Sequence, residues 1–325
     1  MAERIGLGIV GFGIMGERLA RFAAGHDQVR LAGVWDPAPE AAARLAPAAP
    51  GVPMLTSAEE VIAACDCVYV ASPPAFHLAH AKAAFAAGKA AFLEKPLAVN
   101  LAESRVFVAE AEAAGARGAV NFPMASSPAV AQLNAWRAEG AVGAPRDLSI
   151  TAAFAAWPRS WQRDAHAWLD KPQQGGFTRE VVSHFLFLTR RQLGAMTLEA
   201  ARATFAAPGR AETAIAARIT AGGVSVALSG GVGTTLADDH NAWVLEGPAG
   251  AIRLRDWSFA ERRNADGTWS AAPDALPNER MRPMVLKRQL DGVAAMTRGQ
   301  PHHLATLREA LEVQEVVEGI LVEAA

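Results

Sequence analysis

The stretch that most limits what this chain can fold into is Ile5-Gly6-Leu7-Gly8-Ile9-Val10-Gly11-Phe12-Gly13-Ile14-Met15-Gly16. Its apolar opening, bounded by glycines, predicts a buried parallel strand. Gly11, Gly13 and Gly16 then stand as G-x-G-x-x-G, and Glu17-Arg18-Leu19-Ala20-Arg21-Phe22 continues at helical spacing. Each glycine answers a separate demand: Gly11 a tight turn, Gly13 a close approach of backbone to a pyrophosphate, Gly16 close packing of helix on strand. The N–H groups and positive dipole end of such a helix suit phosphates. A second apolar strand, 29–35, runs into Asp36, 20 residues beyond Gly16, where a carboxylate can accept from an adenosine ribose. Strand, helix and acid together predict a dinucleotide site made of Gly11, Phe12, Gly13, Ile14, Met15, Gly16 and Asp36. The plainer alternative is a glycine-rich turn with a helix-capping Asp before Pro37.

At 325 residues the chain is long for one core and predicts two domains. Charged residues are 20%, the net charge is −2 and no run of Lys or Arg stands out, which argues against nucleic acid or an anionic membrane as partner. No apolar run is long enough to span a bilayer, and no signal peptide is visible, so the expected compartment is the cytoplasm. Cys65 and Cys67 alone exclude a disulfide framework and a multi-cysteine zinc site, and no metal is expected. Tyr69, the single tyrosine, has no Lys four residues on, which excludes a Tyr-x-x-x-Lys acid/base pair. Zinc alcohol dehydrogenase chemistry is excluded as well. A dehydrogenase built on this chain must move its proton through His, Lys or a carboxylate.

Helices expected at 38–46, 58–65, 78–87 and 101–114 alternate with strands at 52–55, 67–71, 90–93 and 116–120. Ser57 and Glu60 read as a capping box. The alternation predicts an α/β fold, a doubly wound parallel Rossmann sheet over residues 1–122. Beyond it a helix is expected at 128–139 and a strand at 146–154. A stretch with Trp157, Trp161 and Trp168 follows, then Gly175-Gly176 and an amphipathic helix at 178–193. Alternating segments at 201–206, 214–220, 224–230, 242–246, 251–256 and 258–262 predict a meandering antiparallel sheet, with helices at 285–296 and 307–322. Residues 123–325 are thus expected to form an α+β domain whose large, mostly antiparallel sheet has one open face.

Two candidates for chemistry arise from position. Lys95 lies just past the carboxyl end of a parallel strand, where ligands bind in open α/β sheets, and Pro96 after it can take the cis form and aim the side chain. His184 follows Glu180 by four residues on one helix, so a carboxylate there can orient the imidazole and favour its protonated form. Arg179 should point to another side of that helix, toward an anionic substrate group. Trp157, Trp161 and Trp168 offer flat rings suited to sugar faces or, equally, to a core.

Taken together, Gly11 to Gly16, Ser72-Pro73-Pro74 with His77, Ala87-Gly88-Lys89 leading to Glu94-Lys95-Pro96, and Gly175-Gly176 followed by Glu180 and His184 resemble the Gfo/Idh/MocA oxidoreductases, the glucose–fructose oxidoreductase and inositol dehydrogenase family. The resemblance spans nearly the whole chain, closely in the first half and more loosely in the second. It implies an NAD cofactor, with NADP the alternative, held also by Ser72, Pro73, Pro74, His77, Glu94 and Lys95. It implies a hydride transfer at a secondary alcohol or ketone carbon of a sugar, sugar derivative or cyclitol. Lys95 is then expected to hydrogen-bond the reacting hydroxyl and His184 to accept its proton, with Glu180 assisting.

Three departures bear on substrate contacts. Glu180, preceded by Arg179, replaces the family's Asp; Phe187 stands where a second Asp is usual; and no Arg follows Asn121 closely. A non-catalytic cofactor-binding regulator and a reductase of a non-sugar carbonyl or imine are the competing expectations. A homo-oligomer, dimer or tetramer, is expected to join through the open sheet face.

Overall fold

In the computed structural model, which describes residues 3–322, Ile5–Val10 forms strand β1 and is buried along its whole length. Parallel strands β2 (Val29–Trp35), β3 (Cys67–Val70), β4 (Ala90–Leu93) and β5 (Gly118–Val120) join it in the order β5-β4-β3-β1-β2. Helices Ile14–Ala23, Ala41–Ala48, Ala58–Ala64, His77–Ala86 and Leu101–Ala113 connect them. The continuous burial of β1, β3 and β4 is what an all-parallel sheet covered on both faces demands of its strands. Residues 305–306 add an antiparallel edge strand beside β5 that the sequence reading lacked.

The strand expected at 52–55 is only a bridge between Met54 and Val34. Pro53 has no N–H to extend the ladder, so two bonds flank it and pairing stops there. The capping box at Ser57 is shifted by one residue. Ser57 Oγ accepts from the Glu60 N–H at 3.2 Å, while Glu60 accepts from the N–H of Thr56 at 2.9 Å.

By compactness the chain divides into two units. One comprises the chain up to Ser126 with Pro283–Leu311, the other Ser127–Arg282 with the chain from Glu312 on. Leu286, Leu290, Val293 and Ala294, on the helix Asn278–Thr297, share one core with Ile5, Leu7 and Leu19. The first unit thus draws on a segment distant in sequence.

The second unit is built on an eight-stranded sheet. Its strands are β6 (Asp147–Phe154), β7 (Met196–Phe205), β8 (Glu212–Ala221), β9 (Val224–Val232), β10 (Asp239–Gly247), β11 (Gly250–Arg255), β12 (Phe259–Arg263) and β13 (Trp269–Ala271), in the order β13-β12-β11-β10-β6-β9-β8-β7. All neighbours are antiparallel except β6 and β9. The simple meander therefore fails at one point: β6 inserts between β9 and β10, and alternation along a strand carries no information about insertion.

Leu148, Ile150, Val224, Val226 and Leu228 are buried on one face, whereas Ser149, Thr151, Ser225, Ala227 and Ser229 are exposed on the other. The helix Ser183–Leu193 covers the buried face, where the Trp243 indole N–H donates to Thr189 Oγ1 at 3.0 Å. This helix is not amphipathic as the spacing had suggested, because every residue from Ser183 to Thr189 is buried. Its polar members are accommodated locally. Ser183 Oγ donates to the Arg179 carbonyl at 2.7 Å and Thr189 Oγ1 to that of Phe185 at 2.8 Å. No helix among the described residues is long and apolar enough to cross a membrane.

Candidate active site

The three motif glycines occupy three different environments in the first unit. Gly11 has φ +93°, and a Cβ there would lie 2.5 Å from the Ser72 nitrogen, so the turn after β1 requires glycine. At Gly16 a Cβ would come within 2.1 Å of the Gly11 oxygen, which fixes how closely the helix Ile14–Ala23 approaches the turn. Around Gly13 nothing lies within 4 Å of such an atom, and no side chain caps the helix that starts after it. Open space before an uncapped helix start is the shape a pyrophosphate needs. These residues fit NAD.

Phe12 contributes backbone rather than side chain, since its ring is fully buried. Its N–H donates to Asp36 Oδ2 at 2.6 Å, and the Ala38 N–H donates to Asp36 Oδ1 at 2.8 Å. The carboxylate expected to meet the ribose therefore also anchors the glycine turn. Arg44 Nη2 donates to the Phe12 carbonyl at 2.6 Å, which brings a guanidinium to the same turn. Ile14 and Met15 are partly buried on the first turn of the helix.

At the carboxyl end of β3 and β4 the remaining motif residues gather. His77 is fully buried, with Nε2 2.8 Å from the Ser72 carbonyl and Nδ1 2.9 Å from the Pro96 carbonyl. Burial pushes its imidazole down to about 4, so the ring is neutral at physiological pH and donates to one of the two. It thus sits between the turns that carry Ser72-Pro73-Pro74 and Lys95-Pro96 and bonds one of them. The Ser72 hydroxyl is buried with no partner among the described residues, and the Lys95–Pro96 bond is cis.

Lys95 is half-buried directly after β4. Glu94 turns inward instead. Its Oε1 accepts from the Tyr69 hydroxyl and from Asn121 Nδ2 (2.6 Å), and Gln289 Nε2 donates to Asn121 Oδ1. Burial, followed by the Glu94 charge, raises the Tyr69 hydroxyl well above its ordinary value, so the network keeps that proton. Burial likewise raises the Cys65 thiol to about 11, which leaves it inert at neutral pH.

In the second unit, Glu180 and His184 lie on a helix that opens with a π turn over Thr178–Val182, a local irregularity common at functional sites. His184 is 7% exposed and its ring meets Trp257 edge-on, centroids 5.5 Å apart. Glu180 is half-buried. Arg179 does not serve an anionic substrate group. Its Nε and Nη2 donate to Glu318 Oε1 and Oε2 at 2.8 and 2.7 Å, and Nη1 donates to the carbonyls of Pro172 and Gly175. A guanidinium so saturated locks the start of the helix.

Two residues that no motif pointed to complete this environment. Glu212, 1% exposed, accepts from the Thr178 N–H at 2.7 Å, and a Cβ on Gly176 (φ +94°) would sit 2.2 Å from its Oε2. The second glycine of the pair therefore makes room for a carboxylate. Trp257 is the other, reached through a hairpin turn that the alternation pattern passes over. Trp157, by contrast, packs against Phe154 and Phe177 and donates its N–H to the Leu169 carbonyl at 3.1 Å, a core role. Trp161 is exposed beneath the Arg159 guanidinium, and Trp168 is half-buried. No cluster of potential metal ligands occurs among the described residues.

Comparison with known proteins bears on the fold. Residues 5–122 match the sequence model of an oxidoreductase family, GFO_IDH_MocA, described as an NAD-binding Rossmann fold. No curated protein matches the chain. Solved structures share its fold over nearly their full lengths. UDP-N-acetylglucosamine 3-dehydrogenase GnnA from Acidithiobacillus ferrooxidans is 20% identical with a TM-score of 0.78, covering 99% of this chain and 98% of its own. An oxidoreductase from Agrobacterium radiobacter, in complex with NAD+, L-tartaric acid and magnesium, is 17% identical with a TM-score of 0.83, covering 99% and 96%. GenD2 from gentamicin A biosynthesis, in complex with NAD, is 23% identical with a TM-score of 0.78, covering 100% and 95%. The N-terminal Rossmann domain of this chain is thus an NAD-binding domain and belongs to the Gfo/Idh/MocA oxidoreductase family.

Proposed function

We propose that the protein is an NAD-dependent dehydrogenase acting at a secondary alcohol or ketone carbon of a sugar, sugar derivative or cyclitol, with residues 123–325 supplying most substrate contacts. The observation that carries the reading is the placement of Lys95. The glycine turn follows β1 and Lys95 follows β4 on the same carboxyl edge of one parallel sheet, the edge at which such sheets bind ligands. One protein of similar fold, a UDP-N-acetylglucosamine 3-dehydrogenase, supports the same reading.

Bound NAD would supply the hydride acceptor for oxidation. In this mechanism His184 takes the proton of the hydroxyl and Lys95 donates a hydrogen bond to the oxygen as negative charge grows on it. Glu180 favours the charged imidazole that results. Glu212 and Arg179 hold the helix on which both stand. The test is turnover of NAD on a panel of cyclitols, nucleotide sugars, free sugars and simple hydroxy acids. Activity confined to polyhydroxylated rings is expected, and activity confined to hydroxy acids would reassign the substrate class.

Cofactor choice follows from Asp36 and Arg44. A 2′-phosphate would meet the Asp36 carboxylate, and two unit charges about 4 Å apart near a surface repel by about 4 kcal/mol before screening. Arg44 offsets part of this from its place on the Phe12 carbonyl. Fluorescence titration should give NADH at least about tenfold tighter binding than NADPH, a gap of about 1.4 kcal/mol. The gap should widen in Arg44→Ala.

The exposed face of β6 and β9 carries Ser, Thr and Ala, a flat surface on which a second copy of the sheet can rest. Light scattering at micromolar concentration should therefore give a dimer or tetramer mass, and a monomer mass would refute that assembly.

A further inference from the structure

Trp257 occupies a backbone conformation that a bulky residue rarely adopts. It and Asp256 are the two central residues of the turn Arg255–Ser258, closed by the Ser258 N–H donating to the Arg255 carbonyl at 3.3 Å. Their φ values are +45° and +72°, and they alone among the described non-glycine residues are positive. A turn of this kind is ordinarily filled by Asn-Gly or Asp-Gly, because glycine pays no steric cost at the second position. Here the chain places its largest side chain there.

The turn is held in that shape from several sides. The Asp256 N–H donates to the Asn241 carbonyl at 2.9 Å, and the Asn241 N–H donates to Asp256 Oδ1 at 3.2 Å. His240 Nδ1 lies 2.8 Å from the same oxygen, and Arg255 Nη1 donates to Asp256 Oδ2 at 2.8 Å. Ser258 Oγ donates to the Leu276 carbonyl at 2.7 Å. So many constraints on one unfavourable turn point to a side chain whose position matters.

That side chain meets His184. The indole stands at 78° to the imidazole with centroids 5.5 Å apart, and lies 5.3 Å from the Phe185 ring. We infer that Trp257 is the positioning residue of His184: the strained turn holds an indole against the imidazole and so fixes which ring nitrogen faces the substrate. The inference rests on the proposed role of His184 as proton acceptor, but its physical content is the contact between the two rings.

The test is the titration of the His184 Cε1–H signal in the full chain labelled with 13C-histidine, assigned by its loss in His184→Gln. Trp257→Ala should displace the His184 midpoint by about half a pH unit or more relative to wild type, as an environment change of this kind does. Trp257→Phe, which keeps an aromatic ring in place, should restore the wild-type curve. His26 and His77, both in the other unit, should not move in either variant. An unchanged His184 curve in folded Trp257→Ala would overturn the inference, as would an equal displacement in Trp257→Phe. If Trp257→Ala fails to fold, Trp257→Leu is read against Trp257→Phe in the same way. On a substrate that the wild type turns over, Trp257→Ala should lower kcat about tenfold with KM little changed. Because the titration reads the imidazole itself, a displaced curve in a protein without dehydrogenase activity would fault the functional reading and leave the positioning intact.

Discussion

His184→Ala and Lys95→Ala are each expected to lower turnover by about a hundredfold to ten-thousandfold, the usual worth of a positioned acid or base, with NADH affinity nearly unchanged in His184→Ala. The prediction separates chemistry from binding. The glycine turn and Asp36 follow β1 and β2, and His184→Ala alters no residue of either. Glu180→Gln should cost less and shift the pH profile, because the amide can still accept a hydrogen bond but no longer favours a charged imidazole. Steady-state kinetics beside fluorescence titration of NADH checks all three. Wild-type turnover in His184→Ala would remove the catalytic assignment and favour a cofactor-binding regulator.

Gly13→Ala and Gly16→Ala should fail in different ways. A methyl at Gly13 enters open space on a backbone (φ −75°, ψ −162°) that alanine tolerates, so the folded protein should melt close to wild type. The same methyl would stand where the pyrophosphate must lie, and NADH binding should weaken by about a hundredfold, about 2.7 kcal/mol. At Gly16 the methyl meets the Gly11 oxygen at 2.1 Å, so the helix must move. Thermal stability should then fall by about 1–3 kcal/mol, as overpacking does, and cofactor binding with it. Calorimetry with and without NADH distinguishes the two. Equal melting losses in both variants would contradict the separate roles of the glycines.

Local sequence carried the first unit well, because its signals are local. The strand, the glycine turn and Asp36 fall within the first 36 residues, and each depends on neighbours along the chain. Pro96 marks a bond that can be cis, and the Lys95–Pro96 bond is cis. What the sequence did not reveal depends on distant partners. Arg179 is engaged by Glu318, 139 residues away, a partner that no local pattern around residue 179 signals. Glu212 sits in an ordinary alternating strand, and only its closeness to Gly176 marks it. Trp257 was hidden for another reason: turn rules lead one to expect glycine at such a position, and the residue breaks that rule. Glu94 and His77 were grouped with the cofactor by motif. The structure shows what their side chains bond, Tyr69 and Asn121 for Glu94 and one of the carbonyls of Ser72 and Pro96 for His77. The insertion of β6 beside β9 was likewise invisible, since pairing order is settled by packing between segments far apart in sequence.

The central claim is that hydride passes between a ring carbon and NAD on this protein, with the proton leaving separately. It is tested most directly by incubating the enzyme with NAD and a cyclitol or sugar from the panel deuterated at the carbinol carbon, then analysing the nicotinamide by mass spectrometry. The account predicts NADH carrying the deuterium at its reduced ring carbon, formed in step with the ketone, and none of that label lost to water. NADH formed without the label, or no reduced nicotinamide with any member of the panel, would contradict it.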